Sequence, residues 1–482
     1  MRKIRVRLSG LALFAGNVLS FLLGFVFIVL ISRNLSQGDL GAWFFIGSML
    51  SYFQILEKVL PYWALRDSAR GAKVTKTAFV FSFLLSLPLL GGFIISSLVI
   101  SSIVKVDVIL FLLASFLLPL YYVQDPLTSI LYAKSPHLAS LRNPIIDGVK
   151  IPLALLLLVY GLKGVLIAVI LANLVYVIYL VIVLKDEIES KLKFHWFKKR
   201  FKHMWLPLFH SVSGYINNAS DSFLIGVLLS PAELAYYGIG ITISNVIKSS
   251  RHMATPFGAK LLSVGQTDRR EVRSFIKFVS IFVIPMLVGG VLLSPHLFGI
   301  FGKVYVRSAW VLSPLLLAAS FTVYSSIFSN LLTGLEKVDR SLEVNYRDLL
   351  KSRLFIVDLI NYLFTAVLIV LSILLVPIMG LLGAVISRLG ASTTLFLTMI
   401  HMSKCYLPSR KIIGDLIRIG AACLPMAAFL IIFKPINSLT TLINIAVGAA
   451  IYFAALYAID SESRALIRSF VKEFSERMFA FM

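Results

Sequence analysis

Acidic residues and cysteines are the scarce components of this sequence, with 23 Asp plus Glu and two Cys among 482 residues. Cys405 and Cys423 are too few for a disulfide framework, and no Cys/His cluster of metal-ligand spacing accompanies them. A Walker A sequence and an HExxH motif are also lacking, as is any soluble insert long enough to house a glycosyltransferase site. These absences point away from an enzyme. Lys and Arg outnumber the acids two to one, 46 against 23, but they fall in short clusters between apolar runs rather than on one basic face. That distribution suits a membrane surface and excludes nucleic acid as the partner.

What the sequence has in excess is apolar length. Hydrophobic residues make up 59% of the chain and charged residues only 14%, and the mean hydropathy is +0.91. A polytopic, all-α membrane protein follows. The opening MRKIRVR is followed by an apolar run from Leu8 to about Ile31, too long for a signal-peptide core and followed by no small-residue cleavage site, so it reads as a retained first span.

Windows of about 20 residues give fourteen predicted spans: 8–31, 40–64, 77–103, 108–133, 144–161, 164–184, 204–229, 232–256, 275–298, 308–333, 354–377, 381–402, 413–433 and 438–459. Charge tests the count independently. With the N-terminus in the cytoplasm, 38 of the 46 basic residues fall in inner segments, 6 in outer segments and 2, Lys58 and Arg388, inside spans. An asymmetry that alternates loop by loop predicts a multi-pass protein of the cell (plasma or inner) membrane with both termini cytoplasmic.

A repeat organises these spans. A shift of 194 residues lays Leu35, Ser36, Asp39, Leu40 and Trp43 on Leu229, Ser230, Glu233, Leu234 and Tyr237, each set at an outer turn between two long helices. The predicted domains are an N-terminal six-helix lobe (1–184), a basic cytoplasmic linker (185–203), a C-terminal six-helix lobe (204–402), a final helix pair (403–460) and an amphipathic surface helix (461–482). Two lobes inserted in the same direction imply a pseudo-twofold axis along the membrane normal, with substrate bound between them.

The segments SDSFLIGVLLSPAELAYYGIGITI and FIVLISRNLSQGDLGAWFFIGSML, with PYWALRDSARG ending the second helix, resemble the polysaccharide and oligosaccharide-lipid flippases of the multidrug/oligosaccharidyl-lipid/polysaccharide superfamily. The resemblance covers the whole length, and the Asp-x-x-Leu-Ile-Gly run beginning at Asp221 is its most specific part. It implies a transporter that turns a lipid-linked oligosaccharide from the cytoplasmic to the outer leaflet by alternating access, with no cofactor beyond coupling to protons or sodium. Membrane lipids and glycan polymerases or transferases are the partners it implies. The drug-extrusion branch shares that architecture.

Intramembrane polar groups supply the candidate site. On the seventh span His210, Gly214, Asn217 and Asp221 follow one another at four, three and four residues, and Asn218 widens the stripe. Asn17 lies on the first span, where the repeat also places small and polar residues. Such a stripe belongs against another helix or a wet cavity. Asp221, Glu57 and Asp125 are the candidates for ion coupling. Arg388 and Lys58 are the buried-cation candidates for a phosphate, and Lys248 with Arg251 forms an inner pair that also fits ordinary positive-inside placement. Glu57 and Lys58 are expected to point about 100° apart. Tyr121, Tyr122 and Gln124 suit either sugar contact or packing. Three readings stay open: a flippase, whose cavity would be net positive, a cation-coupled multidrug antiporter, whose cavity would be net negative, and a non-transport scaffold of a glycan-assembly complex.

Overall fold

The computed structural model describes residues 20, 22–189, 191–202, 204–253, 257, 261, 266–336 and 352–464, with the backbone alone at 206, 210, 409 and 410. Asn17, the start of the first predicted span and most of the predicted surface helix 461–482 lie outside the described residues. Among the described residues the chain is helical throughout, with no strand.

Two compact units, Met1–Gly238 and Ile239–Met482, divide the chain. The first contains α1 (Leu22–Asn34), α2 (Gln37–Phe53), a 3-10 turn (Ile55–Lys58), α3 (Val59–Ala69), α4 (Thr75–Val104), α5 (Val108–Ser115), α6 (Leu117–Lys134), α7 (Pro136–Ala139), α8 (Arg142–Leu157), α9 (Gly161–Val183), α10 (Lys185–Ile188), α11 (Phe194–Lys202) and α12 (Trp205–Leu228). The boundary falls inside α13 (Pro231–Ser249). The second unit continues with a 3-10 turn (Ser250–Met253), α14 (Arg269–Leu292), α15 (Ser294–Phe301), α16 (Leu312–Gly334), α17 (Arg353–Met379), α18 (Leu381–Ser403), α19 (Ser409–Ile432) and α20 (Ser438–Ile459).

Among the described residues helix falls in each predicted window from residue 22 onward, with the windows 40–64 and 108–133 each divided between two α-helices. Nine helical stretches among the described residues are long and apolar enough to cross a membrane, and α1 is a shorter apolar one. Their outward faces are greasy: Ile95, Leu98 and Val99 on α4, and Ile373, Leu374 and Ile378 on α17, are more than half exposed. In water such faces would aggregate; in a bilayer they are the solvated surface.

The repeated Ser-x-x-acid turn has the same chemistry twice. Ser36 caps α2, its Oγ accepting from the Asp39 backbone N–H at 3.1 Å, and the Ser230 Oγ accepts from the Glu233 N–H at 3.2 Å at the start of α13. In each case an acid stands in the first turn, where the helix dipole favours it. The two turns pack tightly in the first unit. A Cβ at Gly41 would meet the Pro231 carbonyl oxygen at 1.6 Å, and at Gly226 and Gly238 it would meet the rings of Phe45 and Phe44. Only glycine lets α2 lie this close to α12 and the start of α13.

A second duplication appears in the structure that the sequence reading did not use. Gly161-Leu-Lys-Gly164 joins α8 to α9 and Gly380-Leu-Leu-Gly383 joins α17 to α18. Gly161 has φ +61 and Gly380 φ +58, a conformation that side chains rarely adopt. Gly164 and Gly383 each bring the new helix against a carbonyl of the old one, where a Cβ would stand 1.9 Å and 2.2 Å from the oxygens of Leu157 and Leu375. One hairpin design is thus used once in each unit.

The linker helix α11 is held to the first unit by the PYWALRDSARG segment. Asp67 accepts two hydrogen bonds from the Arg200 guanidinium, at 2.9 and 2.7 Å, and one from Trp196 Nε1 at 2.8 Å. Phe197 stacks on Phe81 with ring centres 4.0 Å apart.

Candidate functional site

The long second span is not one helix. After Phe53 it tightens into the 3-10 turn Ile55–Lys58 before resuming as α3. The carbonyl of Phe53, released by the break, accepts from the Tyr122 hydroxyl at 2.7 Å. On α6, Pro126 lacks the N–H that would bond the carbonyl of Tyr122. Two local interruptions therefore meet, and Glu57, Lys58, Asp125 and Arg142 gather at them.

Asp125 is 5% exposed and faces two cations. Lys58 Nζ pairs with its Oδ2, and Arg142, the first residue of α8, places a guanidinium nitrogen 2.8 Å from its Oδ1. Glu57, equally buried, has Oε1 3.6 Å from Lys58 Nζ. The cations are the accessible members, with side chains 39% exposed for Lys58 and 30% for Arg142. From α12 the Tyr215 ring lies 5.9 Å from the ammonium. The set holds two carboxyl groups and two cations. The Glu57 and Asp125 carboxyl groups stand within hydrogen-bond reach of each other, and both amide atoms of the fully buried Gln124 have no partner among the described residues. Buried polar atoms left this way cost free energy that an incoming polar group or water recovers.

This arrangement corrects one expectation. Glu57 and Lys58 do not face different surroundings, because the helix breaks between α2 and α3 and the flexible lysine stem carries its ammonium back to both acids. Arg142 is a member that the sequence does not single out, since it stands just ahead of the predicted span 144–161 among the inner-segment cations. The sequence signal was the short distance from Arg142 to an apolar run, together with an acid, Asp125, standing inside a span without an obvious partner.

The other predicted residues are distributed as follows. Asp221 is 3% exposed and accepts from the Tyr237 hydroxyl at 2.5 Å, so it faces inward within the first unit. Asn217 is half-buried, whereas Gly214 and Asn218 are exposed. The expected stripe is therefore split, with the acid turned to packing and the small and amide positions turned out. The side chain of His210 lies outside the described residues. In the second unit Arg388 is 6% exposed and stands 5.5 Å from the Phe364 ring centre. Lys248 is half-buried at the end of α13, and Arg251 is exposed in the 3-10 turn that follows.

The second unit holds its own charge network. Arg273 on α14 donates to Asp415 on α19 at 2.6 and 2.8 Å and to Glu462 at 2.9 Å. Lys277, 2% exposed, lies 2.6 Å from Asp460, 2.9 Å from Glu462 and 3.5 Å from Asp415. Burial alone would raise the Asp460 carboxyl, but hydrogen bonds from Lys277 and Ser463 outweigh it and hold the group below the ordinary aspartate range.

An all-helical membrane protein with ionic clusters buried among its spans is the class these features define. The family described as polysaccharide biosynthesis protein matches residues 32–309, more than half of the chain, and the chain belongs to that family. Its fold is that of a solved lipid II flippase MurJ in an inward closed conformation, with a TM-score of 0.73 at 19% identity over 95% of this chain and all of that one. It is also similar to an inward-facing multidrug resistance MATE family transporter of the MOP superfamily, with a TM-score of 0.58 at 16% identity over 80% of this chain and 95% of the other. An outward-facing structure of such a transporter gives 0.53 at 16% identity over 83% and 95%. No curated protein matches the chain in sequence.

Proposed function

We propose that the protein is a flippase that moves a lipid-linked oligosaccharide, carried on a polyprenyl phosphate or pyrophosphate, from the cytoplasmic to the outer leaflet by alternating access, for assembly of a polysaccharide or of glycans on proteins. The observation that carries this reading is the sharing of one buried carboxylate, Asp125, by two part-exposed cations, Lys58 and Arg142. A phosphate entering beside them exchanges one oxyanion partner for another, and a guanidinium takes it bidentately. The exposed Asn218 offers hydrogen bonds to a sugar. No covalent step is needed, since leaflet exchange requires only that the polar headgroup be kept from hydrocarbon. Membership in a polysaccharide biosynthesis family and a MurJ-like fold support the same substrate class.

The antiporter reading has less behind it. A cationic drug needs a carboxylate to meet, and the two in this cluster already have ammonium and guanidinium neighbours. Coupling to a proton or sodium ion would enter where the Glu57 and Asp125 carboxyl groups meet rather than at Asp221, which is bonded by Tyr237. In this reading both termini are cytoplasmic, the membrane is the cell membrane, and glycan polymerases or transferases take the product.

The test is transbilayer movement of a fluorescent polyprenyl-pyrophosphate oligosaccharide in proteoliposomes, with a cationic dye alongside and with or without a proton or sodium gradient. The lipid should cross and the dye should not. Movement of the dye alone would transfer the assignment to drug extrusion.

A further inference from the structure

A second cationic site lies in the other unit, away from the cluster at Asp125. At the start of α14 a cleft of about 610 Å³ is lined by Asp268, Arg269, Arg270, Arg273, Leu407, Pro408 and Lys411. Four cations face one acid. Arg273 is committed to Asp415 and Glu462. Arg269 uses its Nε on the Cys405 carbonyl at 3.1 Å, which ties the connection before α19 to α14. Among the described residues, no carboxylate lies within ion-pair distance of Arg270 or Lys411 or of the rest of the Arg269 guanidinium. All three are exposed.

Placement adds a second argument. Two membrane-long helical stretches begin at this cleft, Arg269–Leu292 and Lys411–Ile432, so it stands at the level where helices leave hydrocarbon for water. Below Lys411, Ile413, Ile417 and Leu424 are 55%, 66% and 68% exposed and follow one another at four and seven residues, forming one apolar ridge along α19. Leu407 and Pro408 continue the apolar wall into the cleft. A charged cup opening onto a greasy ridge matches a molecule with an anionic head and a hydrocarbon tail.

We infer that this cleft binds the phosphate of an anionic phospholipid, with Arg269, Arg270 and Lys411 around the headgroup and an acyl chain along Ile413, Ile417 and Leu424. Phosphate is the shared chemistry of a lipid headgroup and a free ion, and the ridge selects the lipid. Each unpaired surface cation contributes about a fivefold preference for an anionic over a zwitterionic headgroup. The site is independent of transport and stands whether or not the protein moves a glycolipid.

The test uses the full chain in neutral detergent, titrated separately with phosphatidylglycerol, phosphatidylcholine and inorganic phosphate, with retention read by native mass spectrometry and affinity by displacement of a fluorescent phosphatidylglycerol. Wild type should hold phosphatidylglycerol in preference to phosphatidylcholine. The double variant Arg270→Gln/Lys411→Gln should weaken it roughly 30-fold. Lys198→Gln/Lys199→Gln removes the same charge from the exposed face of α11 and should change it less than about twofold, since screened charges elsewhere contribute little. Equal weakening by both pairs would reduce the cleft to general surface charge and overturn the assignment, as would equal retention of the two lipids. Inorganic phosphate binding with the same residue dependence where phosphatidylglycerol is not retained would replace the lipid by a soluble ion.

Discussion

The two ionic clusters differ in completeness more than in content. Around Asp125 two acids and two bases meet in the first unit, with the bases a third or so exposed and, among the described residues, no hydrogen bond to the amide of buried Gln124. Around Lys277 in the second unit the ammonium is 2% exposed and has three carboxylates within 3.5 Å, while Arg273 binds two of the same acids. A saturated network resists any exchange of partners. An unsaturated one with accessible cations is ready for it, and this difference separates a fastening from a binding site.

Removing a partner sharpens the contrast. Lys277→Ala or Asp415→Ala leaves buried charge uncompensated and should lower unfolding stability by about 3–5 kcal/mol, read by thermal or denaturant unfolding in detergent. Lys58→Met leaves Asp125 with Arg142 but takes the ammonium from Glu57, which is 5% exposed, so its cost should be smaller than at Lys277, about 1–3 kcal/mol. Similar losses at Lys277 and Lys58 would erase the distinction. Next in size is Gly41→Val. Its Cβ would meet the Pro231 backbone, which cannot yield as a side chain can, and the expected loss is about 1–3 kcal/mol. If the contact is broken when the protein opens outward, the same substitution should also make Cys placed at Leu229 more accessible to a membrane-impermeant thiol reagent.

Smaller effects follow. Gly47 lies within α2 with nothing inside 4 Å of a built Cβ, so Gly47→Ala should stabilise by about 0.5–1 kcal/mol through helix propensity. The opposite sign would mean that this face of α2 is occupied in the working protein. The pH effect is the most limited in range. Asp460 is held below the ordinary aspartate value, so its contribution is complete at neutral pH and is lost as the pH falls from about 4 through the depressed folded value. Asp460→Asn should therefore flatten the acid limb of the stability curve and leave its slope above pH 6 unchanged.

Much of the fold was legible because lipid imposes simple rules on sequence. Apolar length marked the helices, and the Ser-x-x-acid turns at Ser36 and Ser230 announced identical caps. The GLxG hairpins at Gly161 and Gly380 were equally readable, but their shift, 219 residues by position, differs from that of the Ser-x-x-acid turns and so escaped a search at one spacing. The cluster was legible only in part. Glu57, Lys58 and Asp125 stood out as charges inside spans, yet an ideal helix sends residues 57 and 58 apart, and the break that reunites them comes from tertiary contact with Tyr122. Arg142 looked like a loop charge because it opens a helix. Asp221 stood out for the same reason as Asp125, and nothing in one helix told that Tyr237 waits for it sixteen residues on.

The central claim is that the Lys58 and Arg142 cations exchange Asp125 for the phosphate of the lipid-linked substrate. The most direct measurement compares wild type with Lys58→Met in the proteoliposome assay, using protein shown to be folded by cooperative unfolding in detergent. The account predicts that movement of the polyprenyl-pyrophosphate oligosaccharide falls at least about tenfold, the loss of one charge-assisted contact, while the loss of stability stays within about 3 kcal/mol. Wild-type movement by the folded Lys58→Met protein would contradict it.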